Sequence, residues 1–109
     1  MTAAKTYQLA LHALGDATRR EIFERLESGP LSVAHLAAGL PVSRPAVSQH
    51  LKVLCEAKLV TMEKSGTRSI YRVQHEGIAA IREFLDKFWD EALANFKALA
   101  EKTERENKK

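Results

Sequence analysis

One cysteine, three prolines, five glycines and no long apolar run are the scarcities of this 109-residue chain. The single thiol, Cys55, excludes an internal disulfide and suits a reducing compartment. No stretch approaches the apolar length that a membrane-crossing helix needs, and Met1 to Tyr7 lacks the core of a signal peptide. The expectation is a cytoplasmic protein. No nucleophile–base pairing, phosphate loop or metal constellation stands out, so neither an enzyme nor a cofactor is expected. Internal repeats and low-complexity segments are missing as well. The length suits one domain with a modest core.

What the chain does have is unevenly placed charge. The net charge is only +3. Residues 43 to 72 carry six basic side chains (Arg44, Lys52, Lys58, Lys64, Arg68, Arg72) against Glu56 and Glu63, a balance of +4. The remaining residues hold eleven basic and twelve acidic groups, so all of the positive excess lies in that segment. A local basic footprint is what phosphate binding requires.

The same segment opens with an informative helix. Ser43 can cap it, and Pro45 falls in the first turn, where a missing N–H breaks no helical bond. Val47, Leu51 and Leu54 recur at i, i+4 and i+7 and form one apolar stripe. Gln49, Lys52 and Pro45 lie roughly opposite, with Ser48 and Arg44 on the flank. A helix held by such a stripe can offer its other face to a DNA major groove. Gln49 points most directly outward, and its amide can pair with adenine, while Arg44 and Lys52 suit phosphates.

Around this helix the pattern predicts others. Lys5 to Leu14 reads as a first helix with Tyr7, Leu11 and Leu14 on one stripe and Leu9 on another face, ended by Gly15. Asp16 caps a second, Ala17 to Ser28, which buries Ile22, Phe23 and Leu26 before Ser28-Gly29-Pro30 stops it. Ser32 caps a third, short helix with Val33, Leu36 and Ala37, closed by Gly39-Leu40-Pro41. The third and fourth helices then have the spacing of a helix-turn-helix. Two β-prone runs, 59–64 and 68–73, joined by the turn Ser65-Gly66-Thr67, form a hairpin wing with Lys64, Arg68 and Arg72 on or beside its tip. The longest helix runs from Glu76 to about Lys102. Its stripe of Ile78, Ile81, Leu85, Phe88, Ala92, Phe96 and Leu99, widened by Phe84, Trp89 and Leu93, is broader than a small core needs. A shared role in the core and in a dimer interface is expected. Thr103 to Lys109 reads as a charged, frayed tail after a domain spanning 1–102.

With these elements in order, the sequence resembles the ArsR/SmtB-type winged helix-turn-helix regulators over about residues 7 to 100. The matching segments are Leu14-Gly15-Asp16-Ala17-Thr18-Arg19-Arg20-Glu21-Ile22, then Pro45 through Leu54, then Ala57-Lys58-Leu59-Val60, and Gly66-Thr67-Arg68 followed by Tyr71. The resemblance implies a mainly α fold of order α-α-α-α-β-β-α with a small hairpin. It implies a homodimer built on the first and last helices that binds double-stranded operator DNA and usually represses. DNA contacts then fall to Ser43, Arg44, Ser48, Gln49, His50 and Lys52, with Arg68 in the wing; Lys64 joins them from its place at the hairpin tip. The dimer interface falls to Leu9, Ile81, Phe84, Leu85, Phe88, Trp89, Ala92 and Phe96.

The chain departs from the family where its best-known members bind metal. Ser32 and Ala34 stand where those members carry a Cys-x-Cys pair, and the last helix after Glu76 contains no histidine. His12, His35, His50 and His75 are scattered, and soft or borderline metals need three or four N or S ligands in one sphere. A metal-independent regulator is therefore expected. Cys55 has no resolving partner for a redox switch. An unknown small-molecule effector between the long helices stays open beside constitutive repression. The rival reading is a winged-helix protein-interaction module without specific DNA binding.

Overall fold

The computed structural model describes residues 3–107. Its elements are α1 (Ala3–Leu14), α2 (Ala17–Leu26), β1 (Leu31–Ser32), α3 (Val33–Ala38), α4 (Arg44–Glu56), β2 (Val60–Ser65), β3 (Arg68–Val73) and α5 (His75–Asn107). One strand is added to the expected order. The segment Leu31–Ser32 pairs antiparallel with β3, Leu31 against Tyr71 and Ser32 against Ile70, giving a three-stranded sheet of order β1-β3-β2. The second helix also ends at Leu26 instead of Ser28, and the last continues through Thr103 to Asn107, where the sequence reading ended near Lys102.

Local chemistry accounts for most boundaries. The carboxylate of Asp16 accepts the Arg19 N–H at 3.0 Å and caps α2. The first-turn arginines of α2 reach back to the carbonyls that end α1: Arg19 Nε donates to Ala13 O at 2.7 Å, and Arg20 to Leu14 O at 3.1 Å. Across the bundle, Arg25 Nη2 donates to Gly39 O at 2.6 Å and ties α2 to the end of α3.

The core lies under α4. Val47, Leu51 and Leu54 are fully buried and pack with Ile22, Phe23, Leu26, Leu36, Leu59 and Val60. The first and last helices bury smaller residues than the sequence pattern suggests. In α1 the buried positions are Ala10 and Ala13, while Leu11 faces solvent; in α5 they are Gly77 and Ala80. Small residues let α1 and α5 seat closely on the body, and their bulky stripe is left outside.

The joint between α4 and α5 is tight. Lys58 adopts φ 60° and closes α4 in a Schellman arrangement, with Leu59 N–H on Leu54 O at 3.0 Å and Lys58 N–H on Cys55 O at 3.1 Å. The Lys58 carbonyl then accepts the Gly77 N–H at 2.7 Å. A Cβ on Gly77 would stand 2.5 Å from Ala57 O and 2.9 Å from Lys58 O, backbone atoms that cannot rotate away. Alanine ordinarily stabilises a helix interior by up to about 1 kcal/mol over glycine. Here overpacking, of about 1–3 kcal/mol, should outweigh that gain. Gly77→Ala is thus expected to lower the urea midpoint; a rise would show that the joint is looser than described.

From this body α5 projects far. Its 33 residues span about 50 Å. The Cα radius of gyration is 19.9 Å, against about 13 Å for a compact chain of this length.

Candidate nucleic-acid interface

The helix-turn-helix is α3 and α4 joined through Gly39 to Ser43. The Ser43 hydroxyl accepts the Ala46 N–H at 3.3 Å, so this residue serves first as the α4 cap. Because Val47, Leu51 and Leu54 are locked in the core, the rotation of α4 is fixed. Arg44, Ser48, Gln49 and Lys52 are exposed, with Gln49 on the side away from the buried stripe. His50 is half-buried instead. It lies within electrostatic reach of Asp16, whose carboxyl is held below the usual carboxylate range by the Arg19 backbone N–H, with further help from the charges of Arg19 and His50.

The wing brings its cations to two places. Lys64 Nζ donates to Ser69 Oγ at 3.2 Å across the hairpin. Arg68 borders a cleft with Ser32, Ala34, His35 and Ser69, joining the wing to the start of α3. Arg72, counted above with the wing cations, is paired with Glu63 at 2.6 Å and adds little net charge there.

Between α4 and the wing runs a groove bordered by Ser48, Lys52, Cys55, Lys58, Thr61, Met62, Tyr71 and Gln74. It brings Lys58 beside Lys52. In the sequence Lys58 counts toward the basic balance and stands in the Ala57-Lys58-Leu59-Val60 match, without a place at the interface. Cys55 faces this groove half-buried; burial, with the Glu56 charge beside it, pushes its thiol up. Such a thiol is a poor nucleophile at neutral pH. Among the described residues no group of three or more His, Cys, Asp or Glu side chains is placed to hold a metal ion. Ser32, where the resemblance would put a cysteine, caps α3 by accepting the His35 N–H at 3.2 Å.

The expected interface residues sit along α1 and α5. Leu9 and Ile81 are half-buried against the core, and Ala92 is half-buried. Phe84, Leu85, Phe88, Trp89 and Phe96 are exposed, Trp89 to 61% and Phe96 to 71%. Tyr7 of α1 stacks on Phe84, with centroids 4.4 Å apart and planes at 9°.

A buried-face helix after a tight turn, followed by a basic hairpin, defines a winged helix-turn-helix DNA-binding protein. The family described as a helix-turn-helix domain matches residues 14–63. The HTH-type transcriptional regulator Rv2034 of Mycobacterium tuberculosis is 52% identical over 99 residues, covering 91% of this chain and 92% of that one. The arsenical resistance operon repressor of Staphylococcus xylosus is 34% identical over 82 residues, covering 75% and 79%. Among solved structures, an ArsR-like transcriptional regulator from Rhodococcus sp. RHA1 superposes with a TM-score of 0.74 at 33% identity, covering 88% of this chain and 93% of its own. The chain belongs to the ArsR family of winged helix-turn-helix transcriptional regulators. No helix among the described residues is long and apolar enough to cross a membrane.

Proposed function

We propose that the protein is a homodimeric, metal-independent repressor acting in the cytoplasm. One α4 from each copy enters the major groove of an inverted-repeat operator. The observation that carries this reading is the division of α4 into a fully buried stripe and an opposite face presenting Gln49 and Lys52. Half-sites about 10 bp apart match two such helices related by a two-fold axis. Arg44, Ser48 and Lys52 flank Gln49 and position it on the backbone, with Ser43 at the helix start and His50 at its edge. Lys64 and Arg68 reach phosphates beside the groove. Repression is also the role that the name of the Staphylococcus xylosus relative carries.

Surface area supports the dimer. The chain exposes 7719 Å², whereas a folded monomer of its mass exposes about 6,100 Å². The excess, about 1,600 Å², is ample for a stable interface, which takes about 800 Å² from each partner. Metal independence rests on Ser32 and Ala34 in place of a cysteine pair and on the scatter of the histidines.

Selection from random duplexes should recover an inverted repeat. On that duplex Gln49→Ala is expected to lose about 1–3 kcal/mol and to relax preference at one position per half-site. Unchanged affinity and preference would exclude α4 as the reading helix. Lys64→Ala and Arg68→Ala should weaken binding to every sequence alike and reduce the salt slope by about one each. A wing that merely packs on the body would leave that slope unaltered.

A further inference from the structure

The buried stripe and Gln49 do not use the whole of α4. Ser48, Lys52 and Cys55 recur at i, i+4 and i+7, each one residue after Val47, Leu51 and Leu54. That second stripe is turned about 100° from the first and forms one wall of the groove against the wing. Met62 and Tyr71, directly opposed in the hairpin register, stand on the wing side, and Lys58 lies at the helix end. We propose that this groove binds an aromatic carboxylate and that its occupant excludes DNA from α4. Lys52 and Lys58 hold the carboxylate, and Met62 and Tyr71 receive the ring. The site stands on the groove itself; the exclusion of DNA rests on the reading of α4 given above.

The chemistry of the lining selects such a ligand. Lys52 and Lys58 are exposed, and neither has an ion pair among the described residues. No carboxylate lines the groove. Glu56, beside Cys55, and Glu76, which accepts from Gln74 Nε2 at 3.4 Å, stand outside it. Burial, with the charge of Cys55 behind it, pushes the Tyr71 phenol up, as burial does the Cys55 thiol. Both groups are therefore neutral at pH 7, and the charges of the two lysines are unopposed. Charge-assisted hydrogen bonds from such ammonium groups suit a carboxylate.

The rest of the lining calls for an apolar body. Met62 is 43% exposed and Tyr71 is half-buried, while Cys55 and the buried Val60 lie between the two walls. A thioether and a phenol ring both attract other aromatic rings. A backbone phosphate would use the lysines and leave this apolar wall without a partner. The groove encloses about 510 Å³, within the roughly 300–1,000 Å³ of small-molecule sites. A bound carboxylate also neutralises Lys52, the cation that flanks Gln49. Ligand and DNA should thus weaken each other, and by equal factors.

Cys55 is the only thiol of the chain, so its alkylation by iodoacetamide reports on the groove. Without DNA, 2-naphthoate should slow that reaction saturably, and the uncharged 2-naphthamide should protect about tenfold less well. Lys52→Gln and Lys58→Gln should each weaken protection by 2-naphthoate about tenfold while leaving the urea midpoint in place. Alkylation unaffected by millimolar 2-naphthoate would overturn the site. Equal protection by the amide, or full protection in both glutamine variants, would overturn it too. On the selected operator, saturating 2-naphthoate at constant ionic strength should weaken binding about tenfold or more. Unchanged operator affinity with Cys55 protected would overturn the exclusion of DNA. A chain whose Cys55 is protected but which binds no duplex would uphold the site and remove the DNA reading of α4 instead.

Discussion

Phe96→Glu is expected to yield a folded chain that no longer dimerises and holds operator DNA only through single half-sites. Phe96 is 71% exposed, so the protomer loses almost no packing when it is replaced. In the proposed dimer the same position is covered, and symmetry introduces the carboxylate twice. A charge taken into an apolar interface without a partner costs several kcal/mol. Truncating a central aromatic anchor alone often costs 2 kcal/mol or more, roughly thirtyfold in affinity. A weakening of dimerisation of about 100-fold or more is thus expected, read by sedimentation. Unfolding in urea at low protein concentration should stay close to that of the parent monomer. Operator binding should lose its dependence on the second half-site. A Phe96→Glu protein that remains dimeric at micromolar concentration would place the interface elsewhere.

Leu51→Ala should produce the reverse pattern. Leu51 is fully buried in the stripe that holds α4 against α2, α3 and the start of β2. Removing a buried leucine side chain costs about 2–5 kcal/mol, through lost burial and the cavity left behind. That is a large fraction of the 5–15 kcal/mol typical of a domain. The urea midpoint should fall sharply and operator affinity should fall with it, because the polar face of α4 is aimed only by the apolar one. Gln49→Ala offers the contrast: Gln49 is exposed and its loss should leave the midpoint unchanged. If Leu51→Ala left stability near the parent value, α4 would not be anchored as described.

The parts of the fold that were legible in the sequence are those with local chemistry or a full period. Asp16, Ser32 and Ser43 were read as caps, and each accepts the backbone N–H three residues on. The α4 stripe was read from its spacing and is buried in full. The strand β1 escaped because two residues carry no alternation; only its pairing with Tyr71 and Ile70, some forty positions away, makes it a strand. On α1, residue size points to Leu11 for the buried face, whereas close packing selects Ala10 and Ala13 and leaves Leu11 outside. Gly77 gave no sign of its role, since the carbonyls of Ala57 and Lys58 that crowd it belong to a different part of the chain.

At the DNA-facing surface the same division holds. The helical period placed Gln49 and Lys52 outward. His50, at the edge of the stripe, is half-buried, and its charge reaches Asp16, the cap of α2. The pairing of Arg72 with Glu63 required the hairpin register, Thr61 opposite Arg72 and Glu63 opposite Ile70, before the wing's net charge could be counted.

Sequence-specific DNA binding through α4 is tested most directly by fluorescence anisotropy on the selected inverted repeat and on a scrambled duplex. Both titrations belong at physiological salt with competitor DNA present, because electrostatic binding alone falls steeply with salt. A preference for the repeat of about 1,000-fold or more, with one dimer per duplex, is the expected result. Equal, salt-sensitive binding to both duplexes would contradict it and reduce the basic surface to a general attraction for polyanions.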